Sequence, residues 1–191
     1  MLASLHLARA WAGVALSATL KNVRKRDLAL GPSDPWFGIE NIDPNALGLE
    51  LAEFLRQHFL IPPSGTVISG FKEIRWHQAG DFFNTHLDFL RQFFPGTRFI
   101  FNTRQHESVA RSAWWSEMGI EEVEQTLNDA EQMYKTYAAM HPGICAQVHY
   151  DTYVNDIEGF RPIFDLLGLP FDPDICNAAI AQKLKHLQTQ S

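Results

Sequence analysis

Three short runs rich in aromatic and β-branched residues, Thr66–Lys72, Arg98–Thr103 and Cys145–Tyr150, are separated by longer stretches with apolar residues at helical spacing. Strands that alternate with helices pair through crossovers, which are right-handed and leave the strands parallel. Helices then cover both faces of the sheet, and short, almost continuously apolar strands suit that burial. The expected fold class is therefore α/β, a three-layer α/β/α sandwich around a short parallel sheet.

The helical stretches are read from spacing and punctuation. Leu5, Ala8, Trp11 (or Ala12) and Val14 spell an amphipathic helix that needs a surface to pack on, and the basic cluster Lys21–Arg26 suits a helix C-terminus. Gly31 to Pro44 is a loop, with Trp36 and Phe37 either covering the core or forming a lip over a substrate. Asp43-Pro44 starts a helix carrying Leu47, Leu51, Phe54 (or Leu55) and Phe59. Another begins near Asp81 with Phe83, Leu87, Leu90 and Phe94, and Pro95-Gly96 stops it. A helix is expected over about Ser108 to Met118, and a longer one from about Glu121 buries Val123, Leu127, Ala130, Tyr134 and Tyr137. Ile157 to Leu167 is capped by Gly168, and Asp172-Pro173 opens a last helix running towards Leu187.

At 191 residues, with 46% apolar and 20% charged residues, the chain reads as one globular domain spanning 1–191. A net charge of −6 argues against a broad nucleic-acid surface, so an anionic ligand has to be held by a local cluster. Cys145 and Cys176 stand far apart and read as buried thiols of a reducing compartment, which gives a cytoplasmic expectation. Among the eight histidines no HxxxH or HxH pair occurs, so the sequence supports no metal site. No stretch has the length and apolarity of a membrane span. The apolar N-terminus lacks a basic leader and contains His6 and Arg9 within the run, unlike a signal peptide.

The chemistry gathers at the strand exits, the ligand side of an open parallel sheet. Arg104 falls where Arg98–Thr103 ends, and Ser112 lies eight residues on. A guanidinium grips a phosphate with two parallel hydrogen bonds and a hydroxyl adds a third, so the pair suits an anionic phosphate. A surface arginine paired to Glu107 would use the same residues. Lys72 and Glu73 mark a second place where an apolar run abruptly turns charged. A buried carboxylate can take a hydroxyl proton while a lysine stabilises developing negative charge; an ordinary surface pairing with Arg75 is the competing reading. Tyr150 closes the run from Cys145 and is equally a core residue with its hydroxyl in water.

Strand, Arg104, seven residues and Ser112, preceded by Ser69-Gly-Phe-Lys-Glu-Ile-Arg-Trp76 and followed by His149-Tyr-Asp-Thr-Tyr-Val154 and Phe164-Asp-Leu-Leu-Gly-Leu-Pro-Phe171, resembles the sulfotransferases that use phosphoadenosine phosphosulfate (PAPS). The resemblance runs from about Ser64 to Asp172 and keeps the family's segment order. It implies a nucleoside-triphosphatase-like (P-loop) sulfotransferase fold, with Arg104 and Ser112 on the donor's 3′-phosphate and, in the family's Tyr-acidic step, Tyr150 near its adenine with Asp151 as the acidic residue. It also implies an acceptor-activating base near Lys72. That base is a histidine in the cytosolic enzymes and a glutamate in several carbohydrate-modifying ones, so Glu73 is the candidate and His77 the reserve.

One family element is missing from the sequence. The loop Gly-x-x-(Arg/Lys)-Ser-Gly-Thr-Thr, which holds the 5′-phosphosulfate, has only an outline in Gly13–Thr19, where Leu16 replaces the basic residue and Ala18 the second glycine. The domain is thus expected to be N-terminally truncated relative to the family, either as a fragment of a longer enzyme or as a shortened descendant. A nucleotide kinase needs a comparable Gly-rich lysine loop and fits less well. The expected function is sulfuryl transfer from PAPS to a hydroxyl of a carbohydrate or glycolipid. The competing reading is a non-catalytic module binding phosphoadenosine phosphate (PAP). An unfilled sheet position would leave an edge that invites a homodimer.

Overall fold

The computed structural model describes residues 32, 33 and 42–181. The amphipathic segment around Leu5–Val14, the basic cluster Lys21–Arg26, the glycine outline Gly13–Thr19, Trp36, Phe37 and the end of the last helix towards Leu187 lie outside them. The described residues form two compact units, 42–74 with 81–96, and 75–80 with 97–181.

In the first unit, helix α1 spans Pro44–Leu55, and its start is as the sequence predicts. Asp43 accepts from the backbone N–H groups of Asn45 and Ala46, and Pro44 sits where a missing N–H costs nothing. A widened turn, Arg56–Leu60, continues it to Ile61. Leu47, Leu51 and Leu55 of the expected face are half-buried, but the fully buried residues are their neighbours Gly48 and Ala52, and Phe54 and Phe59 are exposed. The reason is close approach. Helix α2, Phe83–Phe93, sets the Phe93 ring against Gly48 so closely that a Cβ there would overlap it. Gln92 also donates from its amide to Asn45 at 3.1 Å. On α2 the predicted Phe83 and Leu87 are both buried.

Thr66–Lys72, expected as a strand, is not one. Thr66 closes a turn by donating from its N–H and its hydroxyl to the Pro63 carbonyl, and the chain then runs on as a loop. Val67 is 92% exposed, and Ile68 and Phe71 are exposed too. Strand propensity expresses packing on a pleated, half-buried surface, and no described strand pairs with this segment. Lys72 and Glu73 therefore lie in a loop rather than at a strand exit.

In the second unit, strands β1 (Phe99–Thr103) and β2 (Cys145–His149) pair in parallel, Phe99 opposite Cys145 through Thr103 opposite His149. Parallel neighbours need a long crossover. It is supplied by a short helix α3 (His106–Ala110), a 3₁₀ turn (Ala113–Glu117) and the long helix α4 (Ile120–Met140). The helix expected over Ser108 to Met118 is thus broken. Ser112 is extended (φ −110°, ψ 132°) and turns its hydroxyl back to the Val109 carbonyl at 2.8 Å, a local bond that competes with helix continuation.

Helix α4 buries Val123, Ala130 and Tyr137 of the expected stripe. Tyr137 meets Phe99 edge-on at 5.6 Å, and Tyr134 stacks on Phe101 at 4.8 Å. Asn102 points to the opposite face of β1 from Phe101, as alternation requires, and gives its amide N–H to the Tyr153 hydroxyl at 3.1 Å. Tyr153 ends a one-turn helix α5 (Tyr150–Tyr153) and stacks on Phe160 at 4.1 Å. A 3₁₀ turn (Ile157–Phe160) leads into α6 (Arg161–Leu167), which ends at Gly168 with φ 66°, the left-handed cap expected there. Helix α7 is described over Pro173–Ala181 and buries Cys176.

Two measurements test this arrangement. Tyr137→Ala, at a side chain with 0% exposure, should lower the urea midpoint by an amount equivalent to roughly 3–5 kcal/mol with an unchanged m-value. Val67→Asp should shift stability by no more than about 0.5 kcal/mol, whereas a buried strand position would lose several times that.

Candidate functional site

Because β1 and β2 are parallel and in register, their C-terminal ends finish side by side, and both chains turn from strand to helix at the same edge of the sheet. Arg104 is the first residue past β1 and Tyr150 the first past β2. The Arg104 guanidinium carbon lies 4.6 Å from the centre of the Tyr150 ring. Such a contact is worth about 0.5–1 kcal/mol at an exposed site and leaves the guanidinium N–H groups available. Arg104 forms no ion pair with any described carboxylate. The alternative partner, Glu107, is taken by Arg111 one turn along.

Tyr150 is itself backed by Tyr153, edge-on at 5.4 Å. Burial pushes the Tyr153 phenol above the ordinary tyrosine range, and the hydrogen bond from Asn102 works the other way. The phenol oxygen accepts the Asn102 amide N–H while the ring stacks on Phe160.

Around this pair runs a set of polar contacts, most of them between residues with no signal of their own in the sequence. Thr103 Oγ1 lies 2.8 Å from His149 Nδ1, and His149 Nε2 lies 3.4 Å from Asp151 Oδ2. That carboxylate oxygen also accepts the backbone N–H of Gln105 at 2.9 Å. On the first turn past β1, His106 Nε2 lies 2.9 Å from Glu131, which ties α3 to α4. Asp151 was marked only as the acidic residue after Tyr150, and Thr103 and Gln105 only by adjacency to Arg104. Without the register nothing in the chain says that 103–105 run beside 149–151.

Of the nucleotide-binding candidates, Arg104 and Tyr150 are thus brought together. Ser112 is half-buried; its hydroxyl donates to Val109, and no hydrogen bond joins it to Arg104. Its oxygen keeps acceptor capacity, but it stands between two short helical pieces rather than inside a helix. The catalytic candidates fall in both units. Lys72, exposed, and Glu73, half-buried, belong to the first unit, and His77 to the 3₁₀ turn Trp76–Phe82. Just before that turn, the Arg75 guanidinium carbon lies 5.9 Å from the Trp114 ring centre, and Trp114 stacks on Trp115 at 4.1 Å.

Among the described residues no group of three or more metal-ligating side chains occurs, and no helix is long and apolar enough to cross a membrane. No curated protein and no solved structure matches the chain. A model of the sulfotransferase family matches residues 75–173, just over half of the 191. The matched span begins at Arg75, takes in both strands and the contact between Arg104 and Tyr150, and ends at the start of α7. The chain therefore belongs to the sulfotransferase family.

Proposed function

We propose that this sulfotransferase-type protein uses PAPS as donor and transfers its sulfuryl group to a hydroxyl of a carbohydrate or glycolipid. The observation that carries the reading is the Arg104 guanidinium at the exit of a parallel strand, over an aromatic ring and with no carboxylate partner among the described residues. A planar cation with unspent donors on the ligand side of a parallel sheet suits a terminal phosphate. Arg104 would take the donor's 3′-phosphate, Ser112 would add a hydroxyl, and Tyr150 would flank the adenine. The short parallel sheet fits a three-layer α/β/α sandwich of the P-loop type, and a cytoplasmic setting suits the free thiols Cys145 and Cys176.

In the transfer the acceptor oxygen forms a bond to sulfur as the bond from sulfur to the 5′-phosphate oxygen breaks. The leaving electron pair stays on PAP. Glu73 would take the hydroxyl proton, with His77 as the reserve, and Lys72 would offset negative charge developing on the transferred group.

A second reading, a PAP-binding module that does not transfer, is supported by the sequence, in which no match to the family's phosphosulfate loop is found before Gly65. Calorimetric titration of PAP into the whole chain tests the nucleotide site. Saturable binding weakened roughly 10- to 100-fold by Arg104→Ala is expected for a lost charge-assisted phosphate contact. No binding by folded wild-type chain overturns both readings. Where PAP binds, a radiolabelled PAPS assay with sugar acceptors separates them: transfer abolished by Glu73→Gln supports the enzyme, and absence of transfer the binding module.

A further inference from the structure

The two strand exits stay paired for two residues beyond the backbone ladder. Thr103 and His149 form its last rung and are joined again by their side chains, Oγ1 to Nδ1 at 2.8 Å. One residue on, the guanidinium of Arg104 lies over the ring of Tyr150. One further, the N–H of Gln105 reaches Asp151 Oδ2 at 2.9 Å. The same oxygen lies 3.4 Å from His149 Nε2, so one carboxylate faces the groups on both sides of Arg104: the following peptide directly, and the preceding threonine through the imidazole.

A carboxylate this near a phosphate-binding arginine would, by charge alone, oppose the ligand. Its presence calls for a role that outweighs the repulsion, and its contacts show one. We propose that Asp151 is a positioning residue for Arg104: it fixes the peptide after the arginine and, through His149, the threonine before it. The long side chain then leaves the strand already directed over Tyr150. Ordering an arginine before the ligand arrives removes part of the entropic cost of binding. This inference rests on the proposed role of Arg104 in phosphate binding, but the orientation itself is a property of the free protein.

The experiment has two arms. In the first, the Nε–Hε signal of Arg104, assigned by its loss in Arg104→Lys, is followed by NMR without ligand. The Tyr150 ring current should displace it in the wild type, and Tyr150→Leu should return it to the ordinary arginine position. Asp151→Ala should do the same, while Asp151→Asn, whose carbonyl oxygen can still accept the Gln105 N–H, should keep the displaced signal. Gln105→Pro is a second route to the same loss. Gln105 has φ −51° and ψ 125°, backbone angles that suit proline, whose ring puts a carbon in place of the N–H and so removes the hydrogen bond to Asp151. In the second arm, PAP affinity should fall about tenfold in Asp151→Ala and in Gln105→Pro and be largely restored in Asp151→Asn. A signal and an affinity unchanged in Asp151→Ala would overturn the proposal. So would an unchanged signal in Gln105→Pro, should Asp151→Ala fail to fold. If wild-type chain binds no PAP, the phosphate-site reading falls, and the first arm still decides whether Asp151 positions Arg104.

Discussion

The parallel pairing of Phe99–Thr103 with Cys145–His149 is the constraint from which the described second unit follows. Parallel strands cannot be joined by a tight turn, so the chain between them has to travel the length of the sheet and return. The 21-residue α4 makes the return, and its Tyr134 and Tyr137 land on Phe101 and Phe99. The same pairing brings both C-terminal strand ends to one edge, where residues far apart in sequence become neighbours without either strand having to bend.

Aromatic contacts carry much of the packing around this pair of strands. On one face two tyrosines of α4 meet two phenylalanines of β1; from the other, Tyr153 stacks on Phe160 and accepts a hydrogen bond from Asn102. Large rings bury much area per residue and fix relative orientation through edge-on and offset contacts. That suits strands of only five residues, which offer few side chains per face. Tyr153 also supports Tyr150, so packing beneath the sheet edge extends to the ring over which Arg104 lies. In the first unit the contact is of the opposite kind, with a missing side chain at Gly48 admitting the Phe93 ring against α1.

Much of this was legible from local pattern. Asp43-Pro44 set a helix start because the cap and the missing N–H are chemistry of those two residues alone. Val123, Ala130 and Tyr137 marked the inner face of α4, since helical periodicity is imposed by the backbone. The failures have separate physical causes, none of them carried by composition or periodicity. Thr66–Lys72 has strand composition, yet a strand exists only with a neighbour to bond, and Val67 lies in solvent. The helix expected through Ser112 is broken by a hydroxyl choosing a carbonyl three residues back, an outcome composition does not distinguish from helix. On α1, periodicity favoured large residues, while packing selected Gly48 and Ala52 for close approach.

By itself the sequence determined the order of most elements, two of its three expected strands, and the residues at their exits, while the pairing of those two came from the tertiary structure. Arg104 and Tyr150 were legible because strand ends in α/β chains are where a buried run must turn polar. Only the tertiary structure decided that the two residues touch, and that Thr103, His149, Asp151 and Gln105 close around the arginine. Those facts depend on register. A shift of one residue between β1 and β2 would leave every propensity and periodicity in the chain unchanged and would part Arg104 from Tyr150, Thr103 from His149 and Gln105 from Asp151.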